Sequence, residues 1–462
     1  MIITDSIILL TLSESIELKF TKEQIISAVV VEEFNPITAE LPISTLEFSI
    51  INNDDRLSMF SGEYYALLSE RLPILVYERI TEGDDDPVER LIGKFYLDSW
   101  ENVSESEFKF IAIDLVGVLE TTTYDGNFWS EPTSTKEILE ALLTSVNAPY
   151  SIASGIDEIE ISGWNPPGTY RTALQQICFA SGVCVSTSRS QKLNFSLVLL
   201  PSLLYDKRIY DSQKLLKQPI SLLPLVTSIE LVAHNYSQDV TQETIFEAEL
   251  EAGSHKIVFD KPYYDIIVEG GGYTPVLLAA EDETEIVTEN EENIEAGGEF
   301  VFGANSLFLD LTEGGEVAVK GYPWKDNKKS FIFNESGITE FTKRLDLKIE
   351  SATLINSTIA PTILSSLRDF YRIRYNYSFT GIPNDLELKT LIRTNINSDV
   401  TLVGIIQKIN RNLSVGNMLQ IDALSVVPAY VPPEENPTRK PRTGIALSGD
   451  DLIRQNMFRR YA

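Results

Sequence analysis

The side chains that carry most enzyme chemistry are scarce in this sequence. Among 462 residues there are two histidines, His234 and His255, and two cysteines, Cys178 and Cys184. Two imidazoles nearly exclude a histidine-based triad or a multi-histidine metal centre. A thiol nucleophile needs a thiolate beside a cation or a histidine. Cys178 instead shares one face of a helical pattern over Thr169–Gly182 with Tyr170, Ala173, Leu174 and Ile177, and reads as a small core residue. Cys184 falls in the strand that follows and reads the same way. Carboxylates are plentiful, 68 in all; two would suffice for glycoside hydrolysis, and no pair stands out. Asp84, Asp85 and Asp86 are adjacent, but without further ligand spacing they read as a solvated turn rather than a metal site. Gly270-Gly271-Gly272 has no helix behind it, so it is a turn and not a phosphate cradle. P-loop, GxSxG, HExxH and zinc spacings are all missing. The expectation is a protein that is not an enzyme and that holds no cofactor and no metal.

Composition narrows the class. The formal net charge is −30, so the general surface should adsorb neither to nucleic acid nor to an anionic membrane. The charge reads as a solubility device. Hydrophobic residues make up 43% and aromatics 10%, which suits globular domains, and the length implies two to four of them. The two cysteines form neither a CxxC pair nor a disulfide framework, which fits assembly in a reducing compartment. Ile7-Ile8-Leu9-Leu10 is apolar but lacks a basic flank and is bounded by Asp5, Ser13 and Glu14, so no signal peptide is expected. No run approaches the roughly 20 apolar residues that span a bilayer.

The elements are organised around Leu91–Tyr124. Gly93–Trp100 and Phe108–Ile113 read as strands joined by the polar turn Asn102–Glu107. Asp114 is placed to cap a short helix with Leu115, Val118 and Leu119 on one face. Residues 1–125 form one β-rich domain, with further strands at Ile16–Phe20, Ile25–Phe34, Leu46–Ile50 and Leu72–Ile80. Residues 126–200 form a small α/β module. In it Ser134 and Glu137 make a capping box, Gly182 ends a helix begun at Thr169, and strands Val183–Thr187 and Leu193–Leu199 flank the turn Ser188–Gln191. Residues 201–241 return the chain to the body, chiefly through the strand Val226–Ala233. Residues 242–330 are an inserted all-β module whose turns are glycine pairs and triplets, with Glu281–Glu299 as a mobile solvated loop. In 331–427 the first pattern comes back as Leu402–Ile409, a polar turn at Asn410–Asn417, and Met418–Leu424. Leu402-Val403-Gly404 falls on Leu91-Ile92-Gly93, which points to an internal duplication.

Pro428–Arg442 is a proline-rich linker, and 428–462 as a whole is the one basic stretch of the chain. Ser448 and Asp451 would cap a helix over Asp450–Arg460, with Leu452, Ile453, Met457 and Phe458 apolar among Arg454, Arg459 and Arg460. The candidate partner-anchoring residues are therefore Arg454, Met457, Phe458, Arg459 and Arg460, docking on an acidic surface of an adjacent subunit or a spike. The bland alternative is a disordered solubilising end.

Several stretches resemble phage tail (baseplate) hub proteins, the tail-associated hubs of phage and phage-like contractile particles. They are Glu40–Phe48, Gly93–Glu101, Ala112–Leu115 and Tyr170–Ile177, all in the first half of the chain. The resemblance implies a mainly β (α+β overall) fold, with two tail-tube-like β-barrel or sandwich domains carrying an inserted small α/β module and an inserted all-β module. It implies a homotrimeric ring, a symmetry adaptor joining a sixfold tail tube to a central spike or tail tip. Expected partners are the tail tube protein, the spike or tip protein, baseplate wedge or distal tail proteins and the tape measure protein. No specific nucleic-acid binding and no membrane insertion are expected. The implied location is the virion tail or baseplate, after assembly in the host cytoplasm. Only a linker and a short tail follow residue 427, so cell-wall cutting would fall to a separate protein. The alternative function is a tail-tip envelope-active glycosidase or carbohydrate-binding protein, with Tyr263, Tyr264, Tyr273 and Trp324 as sugar-stacking aromatics.

Overall fold

The structure, a computed structural model, describes residues 2–52, 56–58, 62–82, 86–104, 106–197, 216–270, 298–302, 305–311, 313–340, 342–381, 386–395, 401–414 and 418–426. The chain is mainly β, with four α-helices among the described residues. It opens with β1 (Ile2–Ser13), β2 (Ile16–Phe20), β3 (Ile25–Glu33), β4 (Thr45–Ile51), β5 (Pro73–Glu82), β6 (Val88–Ser104), β7 (Glu107–Ile113) and α1 (Leu115–Glu120). Alternating burial along β7 puts Phe108, Phe110 and Ala112 in the core and leaves Lys109 and Ile111 nearer solvent, the period of two that a half-buried strand requires. Asp114 caps α1 by accepting from the Gly117 amide at 3.0 Å. The apolar run Ile7–Leu10 is the middle of β1, which pairs with both β2 and β5.

Next come β8 (Thr123–Tyr124), β9 (Asn127–Ser134), α2 (Thr135–Thr144), β10 (Tyr150–Ile152), β11 (Glu160–Asn165), β12 (Gly168–Thr169), α3 (Tyr170–Ser181), β13 (Val183–Ser186) and β14 (Leu193–Leu197). Thr169 caps α3, and Gly182 ends it in the left-handed region at φ 65°, where a Cβ would be strained. The expected capping box does not form. Ser134 is drawn into β9, and its hydroxyl donates to the Asp157 carbonyl at 3.2 Å instead of capping α2. The buried faces of α2 and α3 pack with α1 in one core cluster.

The remainder is β15 (Leu216–Leu222), β16 (Ser228–Gln238), β17 (Glu243–Leu250), β18 (Gly253–Val258), β19 (Tyr263–Gly270), β20 (Gly298–Phe302), β21 (Ser306–Leu311), β22 (Gly315–Asn334), β23 (Asp346–Ile349), α4 (Ala360–Tyr371), β24 (Tyr375–Gly381), β25 (Leu391–Asn395), β26 (Thr401–Asn412) and β27 (Met418–Val426). The strand expected at Val226–Ala233 forms as β16, but it pairs with β22 and β23 rather than with the large sheet. β26 runs on to Asn412 and shortens the turn expected at Asn410–Asn417. The expected loop Glu281–Glu299 and the aspartates Asp84 and Asp85 lie largely or wholly outside the described residues, whereas Glu299 sits in β20 opposite Asp310.

One twelve-stranded sheet joins the first and the last described strands. Its order is β15-β24-β27-β26-β3-β4-β7-β6-β5-β1-β2, with β25 also on β26. The pairing of β26 with β3, Lys408–Asn412 against Val29–Glu33, makes it continuous.

Candidate functional site

Two sets of five strands within this sheet have the same connectivity. In the first, sequence order β3 to β7 becomes the spatial order β3-β4-β7-β6-β5. In the second, β15, β24, β25, β26 and β27 take the order β15-β24-β27-β26-β25. All eight neighbour pairs are antiparallel. The central hairpins also share a defect. Leu97 faces Ala112 and Ser99 faces Ile111, so Asp98 is the extra residue of a bulge. Ile406 faces Ala423 and Lys408 faces Asp422, so Gln407 is the extra residue of the other. A bulge bends and twists its strand at a fixed point, and both are put to use. Asp98 meets Arg71 at 2.9 Å, and the Gln407 carbonyl accepts from the Phe34 amide at 2.7 Å. Matching bulge to bulge moves the alignment by two residues from the glycine match of Gly93 with Gly404. An even shift keeps every side chain on its own face.

The units are held together by buried polar groups. The tip of the β13–β14 hairpin reaches the large sheet, and three consecutive residues each engage one buried acid. Thr187 Oγ1 donates to Asp114 Oδ2 at 2.8 Å. Ser188 Oγ donates to Glu32 Oε1. Arg189 meets Glu78 at 2.6 Å, with Glu78 2% exposed. Arg189 is in the left-handed region at φ 53°, a strained setting for a bulky residue, and its amide donates to the Ile92 carbonyl at 2.9 Å. The other oxygen of Glu32 receives Arg411 Nε at 2.6 Å, and both side chains are almost wholly buried. Arg411 Nη2 also donates to the Leu386 carbonyl at 2.9 Å. Glu32 in the first unit therefore binds the second unit and the hairpin tip together. Lys408 and Glu33 add a more exposed pair at 2.5 Å on the same seam. From α3, Arg171 Nε donates to the Leu41 carbonyl at 2.8 Å and ties the loop before β4 to the helix.

Burial pushes the Asp114 carboxyl up to about 6, against the hydrogen bonds from Thr187 and the Gly117 amide that favour its charged form. The Thr187 and Ser188 hydroxyls are spent on carboxylates that tie the hairpin tip to the sheet. Burial also pushes the Cys178 thiol far up, and Cys184 is buried in β13, so both are core residues as expected. His234 is buried between Asp326, at 2.7 Å, and the Glu350 carbonyl, at 2.9 Å. His255 sits on a different sheet, on the Glu251 carbonyl. Among the described residues no group of three or more His, Cys, Asp or Glu is arranged to hold a metal ion, and no helix is long and apolar enough to cross a membrane. Of the aromatics considered for sugar stacking, Tyr263 is buried against Phe259. Tyr264 packs on Tyr322 and Trp324, and Trp324 on Phe128. Tyr273 lies outside the described residues, as do Arg454, Met457, Phe458, Arg459 and Arg460. Turn chemistry made Ser188–Gln191 readable as a turn. The run Thr187-Ser188-Arg189 gave no further signal beyond a lone arginine among serines.

No protein-family model and no curated protein matches the sequence. By structure the chain is similar to the tail protein from Neisseria meningitidis MC58, at 9% identity and a TM-score of 0.48, over 91% of this chain and 96% of that one. It is similar to the prophage tail protein gp18 from Listeria monocytogenes EGD-e, at 9% identity and a TM-score of 0.44, over 91% and 94% of the two chains. It is also similar to the E. coli c3393 protein, a component of the type VI secretion system, at 7% identity and a TM-score of 0.36, over 88% and 77%. The likenesses are thus to phage tail proteins and to a secretion-system component.

Proposed function

We propose that this protein is a structural tail or baseplate hub, three copies of which form a ring between a sixfold tail tube and a central spike or tail tip. The observation that carries the reading is the duplicated five-strand unit. Two units of equal topology per chain give six quasi-equivalent positions in a trimer, which is what a sixfold tube end requires of a threefold partner. The continuous sheet supports the same reading. A β26–β3 ladder and a buried Arg411–Glu32 pair fix the two units rigidly, as a symmetry adaptor needs. The resemblance of Glu40–Phe48 and Gly93–Glu101 to tail hub sequences points the same way. In this reading residues 1–125 and 331–427 are the tube-like domains, the second completed by β15 from the return segment 201–241, while 126–200 and 242–330 are inserted modules and 428–462 is a basic anchor. The partners are the tube and spike proteins, and the place is the particle's tail.

The test is to tag the protein in the particle that carries it and locate the tag by electron microscopy. The expected result is a label confined to the end of the tube, above the spike. Label along the tube, or at the head-proximal end, would contradict the proposal.

A further inference from the structure

In each unit the central strand is freed along one edge by the same device. β5 runs beside β6 as far as the pair Pro73–Tyr96, and β25 runs beside β26 as far as Leu391–Ile405. Next to each ladder's end stands a residue in the left-handed region, Arg71 at φ 71° and Lys389 at φ 69°, a setting uncommon outside glycine. The Arg71 amide donates to the Leu97 carbonyl at 2.7 Å and the Leu97 amide to the Leu72 carbonyl at 2.9 Å. The Lys389 amide donates to the Ile406 carbonyl at 3.1 Å and the Ile406 amide to the Thr390 carbonyl at 3.0 Å. The outer strand thus turns away beside the bulge and leaves the rest of the central strand open. In the second unit β3 takes the open edge at Lys408–Asn412. In the first unit no strand takes the corresponding edge, residues 99–104, among the described residues. β15, which holds in the second unit the place of β3 in the first, is likewise paired on one side alone, with β24.

The inner junction between β26 and β3 can be carried over residue by residue. Leu97 takes the place of Ile406, each facing the alanine beside its bulge. Ile220 takes the place of Val30, since Val30 faces Leu46 and Ile220 faces Tyr377. The carried register sets Ser99 opposite Leu223, Trp100 opposite Leu222, Glu101 opposite Ser221 and Asn102 opposite Ile220. The side chains at these places are those of a surface awaiting cover. Val30 and Glu32 are 0% and 2% exposed in the inner junction, whereas their counterparts Ile220 and Leu222 are 37% and 56% exposed. Exposed Val103 and Leu223 add apolar surface on the other face of the two edges. Open apolar edges are association surfaces. The inner junction holds the buried Arg411–Glu32 pair; the outer one would set Leu222 against Trp100 and Asn102, and so joins separate chains without burying a charge. β2 is the sheet's other end, but it has no counterpart in the second unit and no inner junction to repeat.

We propose that β15 of one copy of the chain pairs antiparallel with residues 99–104 of β6 in a second copy, so that the junction between units inside a chain recurs between chains. The contact joins two different surfaces, and such contacts build rings when the rotation closes. In a three-copy ring three inner and three outer junctions alternate. The inference rests on the ring reading in taking copies of the chain as neighbours; its residues come from the shared geometry of the two units. One difference is built in. Pro224 stands where Phe34 donates to the Gln407 carbonyl, so the outer junction lacks that bond.

A disulfide tests the register. In the inner junction Phe34 bonds Gln407 and Leu413 bonds Ala28, which leaves Val31 and Asn410 as a facing pair without mutual hydrogen bonds. Glu101 and Ser221 are its counterparts, with Cα atoms expected about 4.5 Å apart, within the reach of a disulfide. Particles whose hub carries Glu101→Cys with Ser221→Cys are oxidised and run under non-reducing conditions. Most of the protein should appear as covalent two-chain and three-chain species, and neither single variant should give them. Leu222→Arg is the second readout. It should leave the melting temperature of the isolated chain unchanged and lower the yield of rings roughly tenfold or more, because it buries an unpaired charge at the contact. Three-copy rings without the cross-link, a cross-link formed equally by Glu101→Cys alone, or a full yield of rings with Leu222→Arg would overturn the junction and leave the ring reading standing. The cross-link in rings of another copy number would support the junction and contradict the ring reading.

Discussion

The two five-stranded units share an order and a bulge but are filled differently. Aligned on the alanines beside their bulges, Ala112 and Ala423, Phe48 of the first unit corresponds to Phe379 of the second. The facing residue, however, is Phe110 in one and Ile421 in the other. Phe48 and Phe110 stack at 4.8 Å, and Phe20 and Phe108 complete an aromatic cluster. In the second unit Tyr377 stands where Leu46 does and stacks on Phe379 at 5.3 Å, inside a core made mostly of isoleucine and leucine. The comparison shows what a duplicated sheet must keep. Strand order, bulge position and the small residue beside it persist, because moving any of them would re-aim a whole strand. Core side chains exchange freely as long as they stay apolar and fill the space.

Breaking the seam should have the largest effect. Arg411→Ala leaves the Glu32 carboxylate buried without its cation, a change that costs about 3–5 kcal/mol. Chemical denaturation should show a midpoint lowered accordingly. The double replacement Arg411→Leu with Glu32→Leu should recover most of that loss, because the stranded charge is gone.

Asp114, the buried acid that Thr187 of the hairpin tip engages, gives a pH-dependent test. Its carboxyl is held at about 6, against an ordinary 3.8. The folded state therefore binds more protons than the unfolded one between those values, and stability falls as pH rises through that window. A gap of roughly two pH units corresponds to on the order of 3 kcal/mol. Asp114→Asn keeps an acceptor for the Gly117 amide without the charge. It should be more stable than the parent at pH 7 by up to about that amount, with the advantage vanishing near pH 4. Paired melts at the two pH values check the sign.

Smaller changes sharpen the comparison of the two cores. Ile421→Val removes one methylene from the second unit and should cost about 0.5–1.5 kcal/mol. Restoring the first unit's pairing with Ile421→Phe should be no better tolerated, because the space there is already filled. The smallest effect is expected on the surface of the inserted module. Lys320 and Glu269 meet at 2.5 Å with about a third and a half of their side chains exposed. Lys320→Ala should shift stability by less than about 1 kcal/mol, although its contact is as short as the Arg411–Glu32 pair.

Much of the duplicated hairpin was legible because alternation along Phe108–Ile113 and turn residues act over a few positions. The Asp114 and Gly182 caps were legible for the same reason. Strand order was not, since β26 finds β3 across most of the chain and nothing local specifies that choice. β1 was missed because its apolar middle reads as a bare run when both faces are covered by neighbours. The hairpin tip looked like any polar turn. Its role depends on Asp114, Glu32 and Glu78, which lie far away in sequence, and only the fold brings them to Thr187, Ser188 and Arg189.

The central claim is that one chain supplies two quasi-equivalent units to a closed ring. Native mass spectrometry of the ring released from the particle tests it most directly. Three copies per ring, docked on a tube of sixfold symmetry, is the predicted result. A ring of two or six copies would contradict it.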